Sequence, residues 1–427
     1  KCENLPVRLP ENAPITGTGE SPLAKVPEFV NTTCPKCDGP AKRETDTMDT
    51  FVDSSWYFFR YLDPTNEDMP FDTEKAAYWT PVDQYIGGDD HAVMHLIYAR
   101  FWSKVMRDMG LVTFDEPVKR LLTQGMVVGE TFFDDASGKR VYFPPDLVTV
   151  ERDAKGRITS AASRDDASER PSIALKHAIE RMSKSKGNGV DPDEMVEIYG
   201  ADAARIFVMF AAPIENELVW HEAGIEGAVR FLQRVWRLVY RWRDAISGSV
   251  LNGQEGAAQA RKLRQKTHQT IRRVSDSFES LQFNTPVAAL MELSNAIGDV
   301  EAEGADNETV EAVREALTSL VLMLTPFAPH TSEELYSVLI GNEKGMLANG
   351  ARFPEFNEDL TRSDEIEIAV QVNGKLRSRV FASPESANDD LEKMALVDEK
   401  VREYTDGKEI VKVVVVPKRL VNIVTKG

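Results

Sequence analysis

The chain has 427 residues, 42% of them hydrophobic and 28% charged, with a formal net charge of −18. That length exceeds what one core holds, so two or three domains are expected, and the acidity excludes a protein whose whole surface grips nucleic acid, while leaving room for local basic patches. No stretch approaches the roughly 20 apolar residues that span a bilayer, the first residues do not resemble a signal peptide, and three cysteines cannot build a disulfide framework, so a cytoplasmic protein without membrane contact is the expectation.

Residues 1–45 are rich in proline and threonine without periodicity and read as an irregular connector. They contain Cys34-Pro-Lys-Cys37, half of a zinc-knuckle pattern. The only other cysteine is Cys2 and no histidine lies near, so the ligand count falls short of four. An unmetallated turn is the expectation there, with Zn2+ at Cys34 and Cys37 the alternative.

An aromatic-dense stretch, DTFVDSSWYFFRYL, follows. PVDQYIGG then reads as a short strand, and DDHAVMHLIYARFWSKVMRDMG as a helix capped by Asp89 or Asp90 and stopped at Gly110. With LLTQGMVV as the next strand, the order is β-α-β, which predicts a parallel sheet opening onto Gly87-Gly88. His91 and His95 fall one turn apart. A metalloprotease pair would need Glu where Ala92 stands, and two structural histidines are the default for an unknown helix.

Residues 131–176 are polar and turn-rich and look like an insertion. After them comes RMSKSKGNG (residues 181–189), which as composition alone is either a solvated spacer or a loop whose lysines and close-approaching glycines hold phosphate. It is not a Walker A loop. PDEMVEIYGADAARIFVMFAAP is helical, and residues 215–355 carry apolar residues at helical spacing. Arg230, Arg234, Arg237 and Arg241 recur as one stripe on the first of these helices. The bland reading is a solvated face. Between residues 230 and 273 only Asp244 and Glu255 oppose eleven basic residues, which favours phosphate contact.

Residues 363–427 change character: a hairpin, an acidic helix and two valine-rich strands. Side-chain phase favours a three-residue hairpin loop ending at Gly374, which sets Val370 opposite Leu376 and Glu367 opposite Arg379. Lys375, Arg377 and Arg379 then share one face.

The order Met182-Ser183-Lys184-Ser185 resembles the second signature of the class I aminoacyl-tRNA synthetases. MSKSKGNGVDP, ETDTMDTFVDSSWYFFRY, YIGGDDHAVMHLIYARF, LLTQGMV and EIYGADAARIFVMFAAP are similar, in order and spacing, to the bacterial leucyl-tRNA synthetases. The likeness covers essentially the whole chain. It implies a multidomain α/β, all-α and α+β architecture: residues 46–214 as the second half of a Rossmann-like catalytic domain, 215–355 as a helical bundle of the anticodon-arm-binding type, and 363–427 as a small tRNA-binding domain.

The resemblance further implies ATP-dependent activation of leucine to its adenylate and transfer to tRNA(Leu), with ATP taken as its Mg2+ complex. Lys184 would meet the ATP phosphates within a loop of Arg181, Met182, Ser183 and Ser185; Arg181 stands where the family usually has Lys and keeps the charge. Gly87, Gly88, Asp90, His91, Gln124, Gly125 and Met126 would line the adenosine, and Phe51, Ser54, Tyr57, His91 and His95 the leucine. The arginine stripe would meet the tRNA backbone, with Lys375 and Arg377 a weaker second patch. The family's first signature and its editing insertion are not found in these residues, so the expectation is a C-terminal half that needs a separate N-terminal half to form the adenylate. The competing reading is a non-catalytic tRNA-binding module or the small subunit of a split synthetase, inactive alone.

Overall fold

The computed structural model describes residues 6–14, 21–164, 173–248, 257–362, 366–383 and 385–426. Two compact units divide at the bond between Gln124 and Gly125.

In the first unit, the strands Asn31–Thr33 and Pro40–Lys42 pair antiparallel and carry Cys34 and Cys37 in their connection. The strands Tyr85–Gly88 and Leu121–Gln124 run parallel in the register Tyr85↔Leu121 to Gly88↔Gln124, with the helix Met94–Asp108 between them in sequence. This is the expected β-α-β order. The helix starts later than expected: Asp89–His91 form a 3-10 turn, and Val93, at φ −92° and ψ −85°, breaks the helical path before Met94. Neither aspartate caps it. At the other end Gly110, at φ +77°, donates to Arg107 O while Leu111 N reaches Met106 O at 2.8 Å, which closes the helix as the sequence predicts. Phe58, Phe59, Phe71, Ala99 and Met106 form the core.

In the second unit the segment read as a polar insertion is built of strands. Val127–Asp134 pairs antiparallel with Lys176–Arg181 and with Val141–Phe143, and parallel with Leu218–Val219. Val148–Arg152 and Ile158–Ser163 form a hairpin whose Val148 and Ala161 pack on Phe132 and Leu175. The alternation that buries these residues is short and interrupted by polar turns, which is why composition alone reads it as loop.

The expected helical stretch after the lysine loop is two helices, Pro192–Tyr199 and Ala201–Phe210, separated at Gly200 (φ +86°). The second packs with Glu222–Gly248, Asn284–Gly298, Asn307–Leu324 and Pro329–Ile340 around one core that includes Phe207, Phe231, Trp242, Leu290, Leu320 and Phe327. Asp202 ties this helix to the fourth: its carboxylate accepts from Thr331 N at 2.7 Å and lies 2.9 Å from His330 Nδ1.

The last element is a four-stranded sheet in the order Lys375–Ala382, Ile366–Val372, Leu420–Thr425, Ile410–Val416, with helices Asn388–Val397 and Glu399–Thr405 over the face of Ile368, Val370, Val421 and Ile423. Its hairpin register differs from the expected one. The turn is two residues long, Asn373 and Gly374, both at positive φ, and the irregularity sits further along, so that Val370 meets Ser378 and Glu367 meets Phe381. Consequently Lys375 pairs with Val372 at the rim of the buried face, Arg377 lies 3.8 Å from the centre of the Tyr404 ring, and Arg379 turns outward to Glu367 at 2.8 Å. The three cations do not share one face. A bulge changes side-chain phase without leaving a mark in composition, and phase was the only argument for the other register.

Candidate functional site

Seven residues proposed from the sequence converge in the first unit. Phe51, Ser54, Tyr57, Gly87, Gly88, His91 and His95 line a cavity of about 450 Å³, together with Tyr85 and Ile86. The strand Tyr85–Gly88 brings the glycines to the rim, and the first turn of the helix Met94–Asp108 brings His95. The aromatic segment contributes two short helices, Phe51–Ser54 and Tyr57–Arg60. Asp90 lies in the 3-10 turn Asp89–His91, and Gln124 ends the neighbouring strand opposite Gly88.

The walls are fixed by ring contacts and a hydroxyl chain. Phe51 meets His91 and His95 edge-on at 6.2 and 5.8 Å between centroids, and Tyr85 stacks on His95 at 6.1 Å. The Tyr57 and Tyr85 hydroxyls are 2.9 Å apart, and the Tyr85 hydroxyl is 2.8 Å from His95 Nε2. Burial pushes the Tyr85 phenol well above its ordinary range, with Tyr57 adding to the shift. Burial also holds the His95 imidazole below its ordinary value, and the neighbouring His91 lowers it further. A neutral, aromatic concavity with a few oriented polar groups suits a small amphiphile with an aliphatic body. Tyr85 and Ile86 were missed in the sequence, although alternation along the strand that ends in Gly87-Gly88 is a signal for which side chains flank the opening.

The second unit holds the lysine loop. Lys184–Lys186 form a 3-10 turn closed by Gly187 in the left-handed region. Lys186 pairs with Glu180 at 2.8 Å, and Glu180 is held below the usual carboxylate range first by Lys186 and, with Arg140, against the cost of burial. Lys184 is exposed, and no hydrogen bond or ion pair holds its ammonium among the described residues. Of the two lysines, one is spent on the protein and the other is presented. The Ser183 and Ser185 hydroxyls lie 3.2 Å apart. Met182 lies across Gly129, whose hypothetical Cβ would stand 3.0 Å from Met182 Cε, so Met182 anchors the loop by packing. Arg181 ends the strand Lys176–Arg181 and is exposed.

Gly125 and Met126 have local roles. Gly125 N donates to Ile214 O at 2.9 Å, and a Cβ there would fall 1.9 Å from the Asn216 carbonyl oxygen; Met126 O accepts from Leu218 N at 2.9 Å.

The four stripe arginines are all exposed on one side of Glu222–Gly248. Charge segregation along the sequence does not carry into space. Glu308 and Glu315 reach Arg264, Glu292 reaches Lys266 and Arg273, and Glu358 reaches Arg272. Within the stripe, Arg241 donates to the carbonyls of Gly298 and Val300 at 3.5 and 3.2 Å, Arg234 donates to Asn295 Oδ1, and Arg230 meets Glu226 at 3.6 Å. Arg237 borders an open apolar hollow with Leu232, Gln233, Trp236 and Thr331.

Cys34 and Cys37 are both free thiols, and hydrogen bonds from the Lys36 and Cys37 backbone lower the Cys34 pKa. No group of three or more His, Cys, Asp or Glu among the described residues could hold a metal ion, and Cys2 lies outside them. Two thiols do not make a closed zinc site. No helix among the described residues is long and apolar enough to cross a membrane.

Comparison with known proteins follows the same lines. Residues 260–391 match the family described as "Anticodon-binding domain of tRNA ligase", and residues 172–221 match "tRNA synthetases class I (I, L, M and V)". The chain is 48% identical over 425 residues to a leucine–tRNA ligase of Chromobacterium violaceum, covering 99% of this chain and 48% of that protein. It is likewise 48% identical over 428 residues to the leucine–tRNA ligase of Laribacter hongkongensis, covering 99% of this chain and 47% of that protein. Among solved structures it resembles LeuRS of Agrobacterium radiobacter K84 agnB2 in a ternary complex with tRNA and LeuAMS, with a TM-score of 0.62 and 32% identity over 100% of this chain and 47% of that one. The chain thus spans about half the length of the relatives it matches.

Proposed function

Because the chain belongs to the leucine–tRNA ligase family, matching the C-terminal half of its members, we propose that it supplies part of the leucine and adenosine pocket, the ATP-phosphate loop and the tRNA-binding surface of such an enzyme. In this reading a leucine carboxylate oxygen attacks the α-phosphorus of ATP, presented as its Mg2+ complex. The bond to the bridging oxygen breaks and pyrophosphate leaves. A terminal ribose hydroxyl of tRNA(Leu) then takes the leucyl group and releases AMP.

The observation that carries the reading is the cavity of about 450 Å³ in which Phe51, Ser54, Tyr57, Gly87, Gly88, His91 and His95 meet. Its aromatic wall offers leucine an apolar bed. The neutral His95 and Tyr85 pair orients the pocket without placing a charge beside the isobutyl group. Shape alone separates leucine from valine by only about 1–3 kcal/mol per methylene, so a pocket of this kind discriminates modestly. Lys184 meets charge that develops on the phosphoryl oxygens, which stabilises the transition state more than bound ATP. The exposed stripe of Arg230, Arg234, Arg237 and Arg241, with Lys375 and Arg377 beyond it, contributes backbone contact to tRNA.

Leucine-dependent exchange of labelled pyrophosphate into ATP tests the reading, run on the chain alone and with the remaining half of a relative supplied as a separate chain. Exchange that requires leucine and is lost in Lys184→Ala supports it. Exchange indifferent to Lys184→Ala removes the role given to the loop. Absence of exchange in both arms, with tRNA binding retained, favours a tRNA-binding module instead.

A further inference from the structure

Between Gly187 and Gly189 the chain buries a polar side chain. Asn188 is 4% exposed, in a loop whose Lys184 and Ser185 lie open to solvent. Its amide is satisfied on both sides. Oδ1 accepts from Ser183 N at 2.8 Å; Nδ2 donates to the Thr131 hydroxyl oxygen at 2.6 Å and to the Arg181 carbonyl at 3.2 Å. Thr131, 1% exposed, in turn donates from its hydroxyl to Gly129 O at 3.2 Å. Asn188, at the C-terminal end of the segment that carries Lys184, therefore grips its N-terminal end through the Arg181 carbonyl and the Ser183 amide, and fastens the closed segment to the adjoining strand Val127–Asp134.

The surroundings leave much of the loop's placement to this side chain. Gly187, at φ +64°, turns the chain inward, and a Cβ there would lie 3.0 Å from Pro144 Cγ. The turn Lys184–Lys186 has only two long backbone bonds of its own, Lys186 N to Ser183 O at 3.2 Å and Gly187 N to Lys184 O at 3.3 Å. Beneath the loop, Met182, Asn188 and Gly189 border a cavity of about 510 Å³, so apart from Met182 against Gly129 little packing from below fixes its height. A buried amide with all three contacts made is the stiffest element in the loop, because unpairing it strands polar atoms in a dry site.

We infer that Asn188 is the positioning residue of the Lys184 loop, acting on the phosphate-facing lysine through the Ser183 amide and never touching the nucleotide itself. This rests on the reading of Lys184 as the ATP-phosphate contact. An amide fits best: a carboxylate would accept from Ser183 N and could draw the Thr131 proton only away from Gly129 O, and it would confront the Arg181 carbonyl without a donor.

The test has two arms. Hydrogen–deuterium exchange of the chain itself needs no activity. Asn188→Ala raises the exchange rate of the 182–187 amides about tenfold while the bundle helices stay unchanged, Asn188→Asp gives an intermediate rise, and Thr131→Ala a smaller one. Unchanged exchange of this segment in a folded Asn188→Ala overturns the inference, and Asn188→Asp serves the same purpose if the alanine variant does not fold. In pyrophosphate exchange with the other half supplied, Asn188→Ala lowers kcat about 10- to 100-fold with the KM for leucine unchanged, and Lys184→Ala with Asn188→Ala together lose no more than Lys184→Ala alone. Fully multiplicative losses would mean that Asn188 acts other than through Lys184. If the parent assembly shows no exchange at all, the proposed function fails while the deuterium arm still decides the placement of the loop.

Discussion

The loop of Lys184 and the arginine stripe on Glu222–Gly248 are both basic, and in the linear sequence both look equally available to phosphate. In space they differ. Around the loop, Lys186 is neutralised by Glu180 and the backbone at Arg181 and Ser183 is held by Asn188, which leaves Lys184 as the lysine presented to solvent. Along the stripe, Arg234 and Arg241 are engaged by Asn295 and by carbonyls near the end of a neighbouring helix, and further along the basic cluster Arg264, Lys266 and Arg273 have glutamates from other helices against them. What matters for anion binding is the charge left over after the fold has satisfied itself, and counting residues along the chain overstates it wherever helices pack side by side.

The sharpest way to break this contrast is within the loop. Lys184→Ala should lower pyrophosphate exchange about 10²–10³-fold, the scale expected when one preorganised donor to a developing charge is removed. Lys186→Ala should cost less than tenfold, because that ammonium already faces Glu180. Equal losses in the two variants would erase the distinction between presented and internally paired lysines.

Next in size is a stability effect at Gly125. Alanine there places a Cβ about 1.9 Å from the Asn216 carbonyl oxygen, a backbone clash that costs about 1–3 kcal/mol or more. Differential scanning calorimetry should show a lower Tm before any ligand is added. An unchanged Tm would mean that this glycine is required by a ligand and not by packing.

How far the sequence could carry these arguments depended on the kind of physics involved. The lining of the first cavity was legible because Phe51, Ser54, Tyr57, His91 and His95 sit in long stretches that resemble the synthetases, and the β-α-β order was legible from periodicity and from Gly110. The Asn188 latch was not, since a buried asparagine between glycines looks like any polar loop residue until Thr131, 57 positions away, is brought to it. The hairpin phase differs from the sequence expectation for a similar reason: whether the extra residue falls in the turn or at Arg377 depends on packing against helices that local pattern does not record. Pairing of Arg264 with Glu308 and Glu315 was equally invisible, because it joins helices distant in sequence.

The stripe makes a smaller and separable prediction. Arg237→Ala should weaken tRNA binding and reduce the slope of log K against log salt by about one, with little change in Tm. Arg241→Ala should instead cost about 1 kcal/mol of stability by freeing the Gly298 and Val300 carbonyls, with a weaker effect on the salt slope. Filter-binding titrations at several salt concentrations, beside thermal scans, separate the two. Interchangeable behaviour of the two variants would return the stripe to a uniformly solvated face.

The smallest effect concerns protons in the pocket, a neutral site set against the two cationic ones. His95 is held below its ordinary pKa by burial and by His91, so the folded protein binds a proton there less readily than the unfolded chain. A group depressed in this way contributes stability that is present above its ordinary pKa near 6.5 and is lost as pH falls below it. Between pH 7 and pH 5 the Tm should therefore fall in the parent chain, and fall less in His95→Gln, which keeps a polar partner for the Tyr85 hydroxyl but cannot be charged. Protonation would also turn His95 Nε2 into an obligate donor toward Tyr85, whose own upward shift keeps it a phenol throughout this range. Tyr85 could then donate only to Tyr57, and the hydroxyl chain at 2.8 and 2.9 Å would have to run in one direction, stiffening the wall as it charges. A pH profile identical in the two proteins would show that acid sensitivity arises elsewhere, and that the neutrality of this pocket is not maintained through His95.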